Sequence, residues 1–225
     1  MRYGVNRRAD DPFDIDVSPF PWDPLTLALA SKNGHTAEMQ VLLKQHGTMV
    51  DAVDGNGKSP LMQASEGGHE GAMRMLLAAK ASVNVRSRSS GTTALMYAGN
   101  GGHCGAVQAL LEAGAIVNLQ NDVGFTALMC AGRHEGAMRV LLKAGAMVDS
   151  IDRNGITALM RAGELGDAGV LRLLLEARAA VDLKGITGKS ALLYASASEY
   201  SNAGSVSAAR SRGRGGFEEC VDGRH

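Results

Sequence analysis

The chain has 225 residues, 45% of them hydrophobic, which is enough to pack an interior. Lys plus Arg and Asp plus Glu balance at 23 each, so no global field recruits nucleic acid or an anionic membrane, and charge-driven binding has to be local. No apolar run approaches the ~18 residues of a membrane span. The N-terminal stretch has no apolar signal core, and Cys104, Cys130 and Cys220 form no C-x-x-C pair. Membrane insertion is not expected, and a cytoplasmic or nuclear location fits.

Residues 1–21 are expected to be flexible, with Phe20 and Trp22 placed to fold back over the first ordered unit. From there a repeat takes over. A Leu-Leu pair recurs at Leu42, Leu76, Leu110, Leu141 and Leu174, in steps of 34, 34, 31 and 33. A second series, Leu61, Leu95, Leu128, Leu159 and Leu192, follows a Gly-x-Ser/Thr opening each time. A third, Val50, Val83, Val117, Val148 and Val181, is followed each time by Asp or Asn. Three series in phase identify repeats at 22–53, 54–85, 86–120, 121–150 and 151–183, with a partial sixth at 184–200.

One period shows what each unit is. Asp54-Gly55-Asn56-Gly57 reads as a turn, Ser59 as a helix N-cap, and Pro60 as a first helical residue whose missing N–H costs nothing. Gly67-Gly68 ends that short helix. A second, from about His69, places Met73, Leu76 and Leu77 on one apolar stripe. The same triplet returns in every unit, so each stripe is covered by its neighbour, and stacked helical hairpins result.

The fourth unit is two residues short, since Leu128 to Met138 spans 10 positions where Leu95 to Val107 spans 12. Its turn, Gly132-Arg133-His134, predicts the weakest interface of the stack. The sixth unit opens normally at Gly188-Lys189-Ser190-Ala191-Leu192 but never reaches a Leu-Leu helix. From 198 to 225 the Ser, Ala, Gly and Arg composition predicts a disordered tail.

A period of this length containing Gly124-Phe125-Thr126-Ala127-Leu128, Gly101-Gly102-His103 and Ala113-Gly114-Ala115-Ile116-Val117-Asn118 resembles the ankyrin repeat. The resemblance covers about 24–197 and implies an all-α solenoid of stacked helix-turn-helix units with β-turn fingers, an ankyrin domain spanning 22–197. Two departures matter. Leu-Met stands at 61–62, 95–96, 128–129 and 159–160 where the family has Leu-His, so methionine is expected to fill that gap. Lys80 and Arg178 replace the Gly after the second helix, at a position expected to be left-handed.

Several chemical readings fail on their residues. His35, His69, His103 and His134 open the second helices but have no carboxylate or cysteine at ligand spacing, so no metal is expected. Gly99 to Gly105 lacks the Lys-Ser/Thr of a phosphate loop. Cys104 and Cys130 lie near His103 and His134 without a third orienting group. No catalytic residue and no cofactor is expected, and the chain is read as a non-enzyme. The tail run Arg210 to Gly216 has no aromatic within it, so nucleic acid is not expected as a partner. Asn84 and Asn118 stand where ankyrin repeats resemble substrates of an asparaginyl hydroxylase, but a structural role bonding turn backbone explains them fully.

What the resemblance implies for function is protein binding through a concave surface of turn tips and first helices, by a chain expected to be monomeric alone. The residues at those positions are Lys58, Glu66, Thr92, Tyr97, Asn100, Val123, Phe125, Arg133, Arg153, Ile156, Arg161 and Glu164. An apolar residue on a turn tip has no evident folding reason, which singles out Phe125 and Ile156, with Val123 and Tyr97, as anchors. The fingers carry more Lys and Arg than Asp, so a mildly acidic partner is implied. The alternative reading is a targeting or regulatory arm of a larger enzyme or channel. A third is nucleic-acid association through the arginine tail.

Overall fold

The computed structural model describes residues 24–45 and 50–202; the expectations for residues 1–21, for Phe20 and Trp22 and for the arginine run lie outside them. Eleven helices occur among the described residues: α1 (Pro24–Asn33), α2 (Thr36–Gln45), α3 (Pro60–Glu66), α4 (Glu70–Ala78), α5 (Ala94–Asn100), α6 (Cys104–Glu112), α7 (Ala127–Cys130), α8 (Glu135–Lys143), α9 (Ala158–Leu165), α10 (Ala168–Glu176) and α11 (Ala191–Asn202). They form two layers. The odd-numbered helices pack in a row, each on the next, and the even-numbered ones pack in a second row behind them. The sequence expectation of an all-α solenoid holds: there are no strands among the described residues, only one isolated bridge between Lys184 and Ser190.

Each first helix starts for the same local reason. Ser59, Thr93, Thr126 and Thr157 cap α3, α5, α7 and α9, their hydroxyls accepting from the N–H of Met62, Met96, Met129 and Met160 at 3.2–3.4 Å. These four methionines are buried, filling the gap as expected. Met62 does more than fill: its sulfur accepts from the Ser59 N–H at 3.4 Å, taking the place of the glutamate in a capping box.

The second helices α4, α6 and α8 begin on histidine without a side-chain cap. Their histidines serve the stack instead. His69 Nε2 donates to the carbonyl of Lys32 at 2.9 Å and His103 Nε2 to that of Glu66 at 3.1 Å, one unit back. The rings lie flush on glycines of the preceding turn, since a Cβ at Gly34, Gly68 or Gly102 would sit within 2.4–2.7 Å of the His69, His103 or His134 Nδ1. No larger residue fits there.

A second link runs on the opposite edge. Ser82 N–H and Ala180 N–H donate to Asp51 and Asp149, and Ile116 N–H and Met147 N–H donate to Asn84 and Asn118, all at 2.8–2.9 Å. Asn84 and Asn118 also donate to the carbonyls of Gly114 and Gly145. The asparagines therefore bond backbone as expected, but that of the following unit and not their own turn.

Lys80 and Arg178 do adopt the left-handed conformation, at φ 66° and 63°. The last helix runs to Asn202, past the boundary expected at 197. It packs on α9 and leaves Leu192 and Leu193 exposed.

Replacing Lys80 or Arg178 by Gly is expected to raise stability by about 1 kcal/mol each, because the left-handed strain disappears. Urea denaturation checks this, and an unchanged or lower midpoint contradicts it. The four-residue α7 leaves the least packed step of the first row, so amide exchange across 126–142 should be faster than in the flanking units. Equal protection would refute that expectation.

Candidate interaction face

The fingers are built from the backbone outward. Asp54, Asn121 and Asp152 each open one, and their side-chain oxygens accept from two N–H groups ahead of them, at 2.8–3.1 Å. In the third finger the Ser87 hydroxyl does this work, accepting from Thr92 N–H at 3.1 Å. Successive fingers are then stitched together: Asp122 N–H donates to the Ser90 carbonyl, Arg153 N–H to Val123 and Ile186 N–H to Asn154, at 2.9–3.0 Å. The result is a row of tips held in register above the first helices.

The residues singled out in the sequence fall into several groups on this face. Lys58 bonds Glu66 at 2.7 Å and lies 4.5 Å from the centre of the Tyr97 ring, one unit on. Thr92 is half-buried and bonded through its hydroxyl to Ser90. The third group is larger. Asn100, Arg133, Arg161 and Glu164 converge on one cleft of about 190 Å³, whose walls also include Cys130 and His134. Val123 and Arg153 stand exposed on the finger tips.

The premise that tip apolars have no folding role is overturned for two residues. Phe125 and Ile156 are half-buried and packed against the core. The Arg161 guanidinium lies 3.9 Å from the centre of the Phe125 ring, and Ile156 abuts Gly185 of the next finger. Both tips are seals between units. Val123, 48% exposed, remains an apolar tip without such a seal.

Arg161 is held from two sides. Its Nη2 donates to Asp152 at 3.0 Å, and Asp152 is only 1% exposed while Arg161 is 27% exposed. Asp152 was not among the sequence candidates. The signal was present, because Asp54 and Gln63 stand at the same positions three units earlier in the array and make the same contact at 2.6 Å. Cys130, the free cysteine among the described residues, lies in the cleft wall. Burial pushes its thiol up to about 11 from 9.0, against an opposing pull from Arg161, so it is a poor nucleophile at neutral pH.

Arg161→Ala should destabilise the fold by about 3 kcal/mol, because it strands the buried Asp152 carboxylate. The double variant with Asp152→Asn should recover most of the loss in a thermal denaturation cycle. Additive losses would mean the pair is not coupled. For Cys130 the sign follows from a folded pKa above the unfolded one: its contribution is complete below pH 9.0 and is lost as pH rises through about 11. Cys130→Ala should flatten the fall in stability across that window. An unaltered alkaline slope counts against it.

No helix among the described residues is long and apolar enough to cross a membrane, and no group of three or more His, Cys, Asp or Glu among them is placed to hold a metal ion. Comparison with curated proteins returned no match. Residues 8–87 and 81–152 match the family model described as ankyrin repeats in three copies. With that match over more than half its length, and with helical pairs stacked unit on unit, the chain belongs to the ankyrin-repeat family.

Proposed function

We propose that this chain is a non-catalytic scaffold or adaptor that binds a partner protein through the face made by its finger tips and first helices. Ankyrin repeats in general are protein-interaction modules. The observation that carries the reading for this chain is the contrast between a rigid finger backbone and the side chains it displays. Bonds within and between fingers hold the tips in register, so Val123, Arg153, Arg133, Asn100 and Glu164 are exposed on a surface that loses little freedom on docking. The poor nucleophilicity of Cys130 supports a binding role over catalysis. Lys58, Glu66 and Tyr97 extend the same face toward the N-terminal units, and Thr92, Phe125, Ile156 and Arg161 shape it from beneath.

Affinity purification with the wild-type chain and with a Val123→Asp/Arg133→Glu variant tests this. Both positions are exposed, so the variant should unfold at the wild-type temperature and yet lose the partner. Ile116→Asp, on the loops behind the second helices, should retain it. A partner held equally by all three proteins would remove this face from the interaction.

A further inference from the structure

The cleft between α5, α7 and α9 exists because α7 stops at Cys130 and the turn after it is short. Elsewhere a glycine of the turn is covered by the next unit's histidine. After α7 the turn's glycine, Gly132, is not left-handed and faces Leu165 of the next unit, which has Asp167 in place of histidine, capping α10 through Gly169 and Val170. The gap is therefore not filled by the fold.

The gap has a mixed lining, with Met129, Cys130 and Leu165 beside the polar groups, and its central cation is pre-set. Arg161 is pinned by the Phe125 ring and by Asp152, so its guanidinium is held in one orientation before anything docks. Its Nε–H is buried and meets no acceptor among the described residues, and its hydrogen bond to Asp152 uses Nη2 alone. Arg133 is exposed in the same wall and forms no ion pair within 4.0 Å among the described residues. Asn100 adds an amide. Asp152 offsets the Arg161 charge and Glu164 in the same wall offsets that of Arg133, so attraction for an anion comes from directed N–H donors and not from net charge.

We infer that this cleft takes the carboxylate of one Asp or Glu in an extended acidic segment of the partner protein, with Arg161 and Arg133 as its donors. The inference rests on the docking reading above. The fingers beside the cleft favour an acidic segment, because their acids are already engaged: Asp122 by Arg86, Asp54 by Gln63 and backbone, and Asp152 by Arg161. Arg88, Arg153 and Lys184 remain exposed without an ion pair among the described residues. Glu164 in the wall decides between anions, since it opposes a phosphate dianion more strongly than a single carboxylate.

The full chain is used to select from a displayed library of random peptides, alongside Arg133→Ala, Arg161→Lys and Val123→Asp. Wild type should enrich Asp or Glu at one fixed position. Arg133→Ala and Arg161→Lys should each weaken those peptides about tenfold, the size of one charge-assisted hydrogen bond. Should Arg161→Lys fail to fold, Arg133→Ala decides alone, because its site is exposed. Peptides that Val123→Asp blocks but that show no acid preference, or an acid preference indifferent to both arginine variants, overturn the cleft assignment and leave the docking face standing. Selection of no peptide sensitive to Val123→Asp overturns the docking face and this inference together. Tighter binding when the selected acid is replaced by phosphoserine overturns the choice of a carboxylate.

Discussion

Two short helices present an apolar stripe that only a further pair can cover, and every other feature of the molecule follows from that dependence. Met73, Leu76, Val107, Leu110, Met138, Leu141 and Leu174 are all buried, although no single pair of helices could enclose its own members of that set. Hydrophobic contact is not directional, so it does not set the angle or spacing of one pair on the next. The polar links do. A histidine ring lying on a glycine closes one edge, and an Asp or Asn bonded to the following loop closes the other. Where both are present the step is fixed at two separated points.

The fold was legible in the sequence because its information is periodic. Leu-Leu, Gly-x-Ser/Thr and Val-Asp/Asn each mark the same place in every unit, and each has one physical meaning: buried stripe, helix cap and loop bond. Lys80 and Arg178 were legible for the same reason, as breaks in a column that demands positive φ. The end of α11 was not, since Ser196 to Asn202 has no apolar period to mark it as helix.

The candidate face was legible only in outline. Column position identified which residues stand on tips and first helices, but not how they meet across units. Phe125 looked like an unemployed apolar tip because its partner, Arg161, lies 36 residues ahead and belongs to a different column. Asp152 was hidden by its role in its own finger, where backbone bonds alone accounted for it. The shortened turn before His134 was visible as a count, yet it also left a cleft lined by Arg133, Arg161 and Glu164 beside Met129, Cys130 and Leu165. Counting residues reveals that space is left, whereas the chemistry of the space depends on which neighbours reach into it.

The two edge links also give the array a direction. His69 and His103 reach back to the unit before them, and Asp51, Asn84, Asn118 and Asp149 reach forward to the unit after them. Among the first three units the matching halves are interchangeable, so one of them could be excised or duplicated and the new seam would still find ring on glycine and amide on loop. A seam after the fourth unit keeps the loop bond, Ala180 N–H to Asp149, but not the ring on glycine, because it pairs a turn without a left-handed glycine with a helix opened by Asp167. Modular editing of this protein is thus constrained at that joint, where only one of the two edge links recurs.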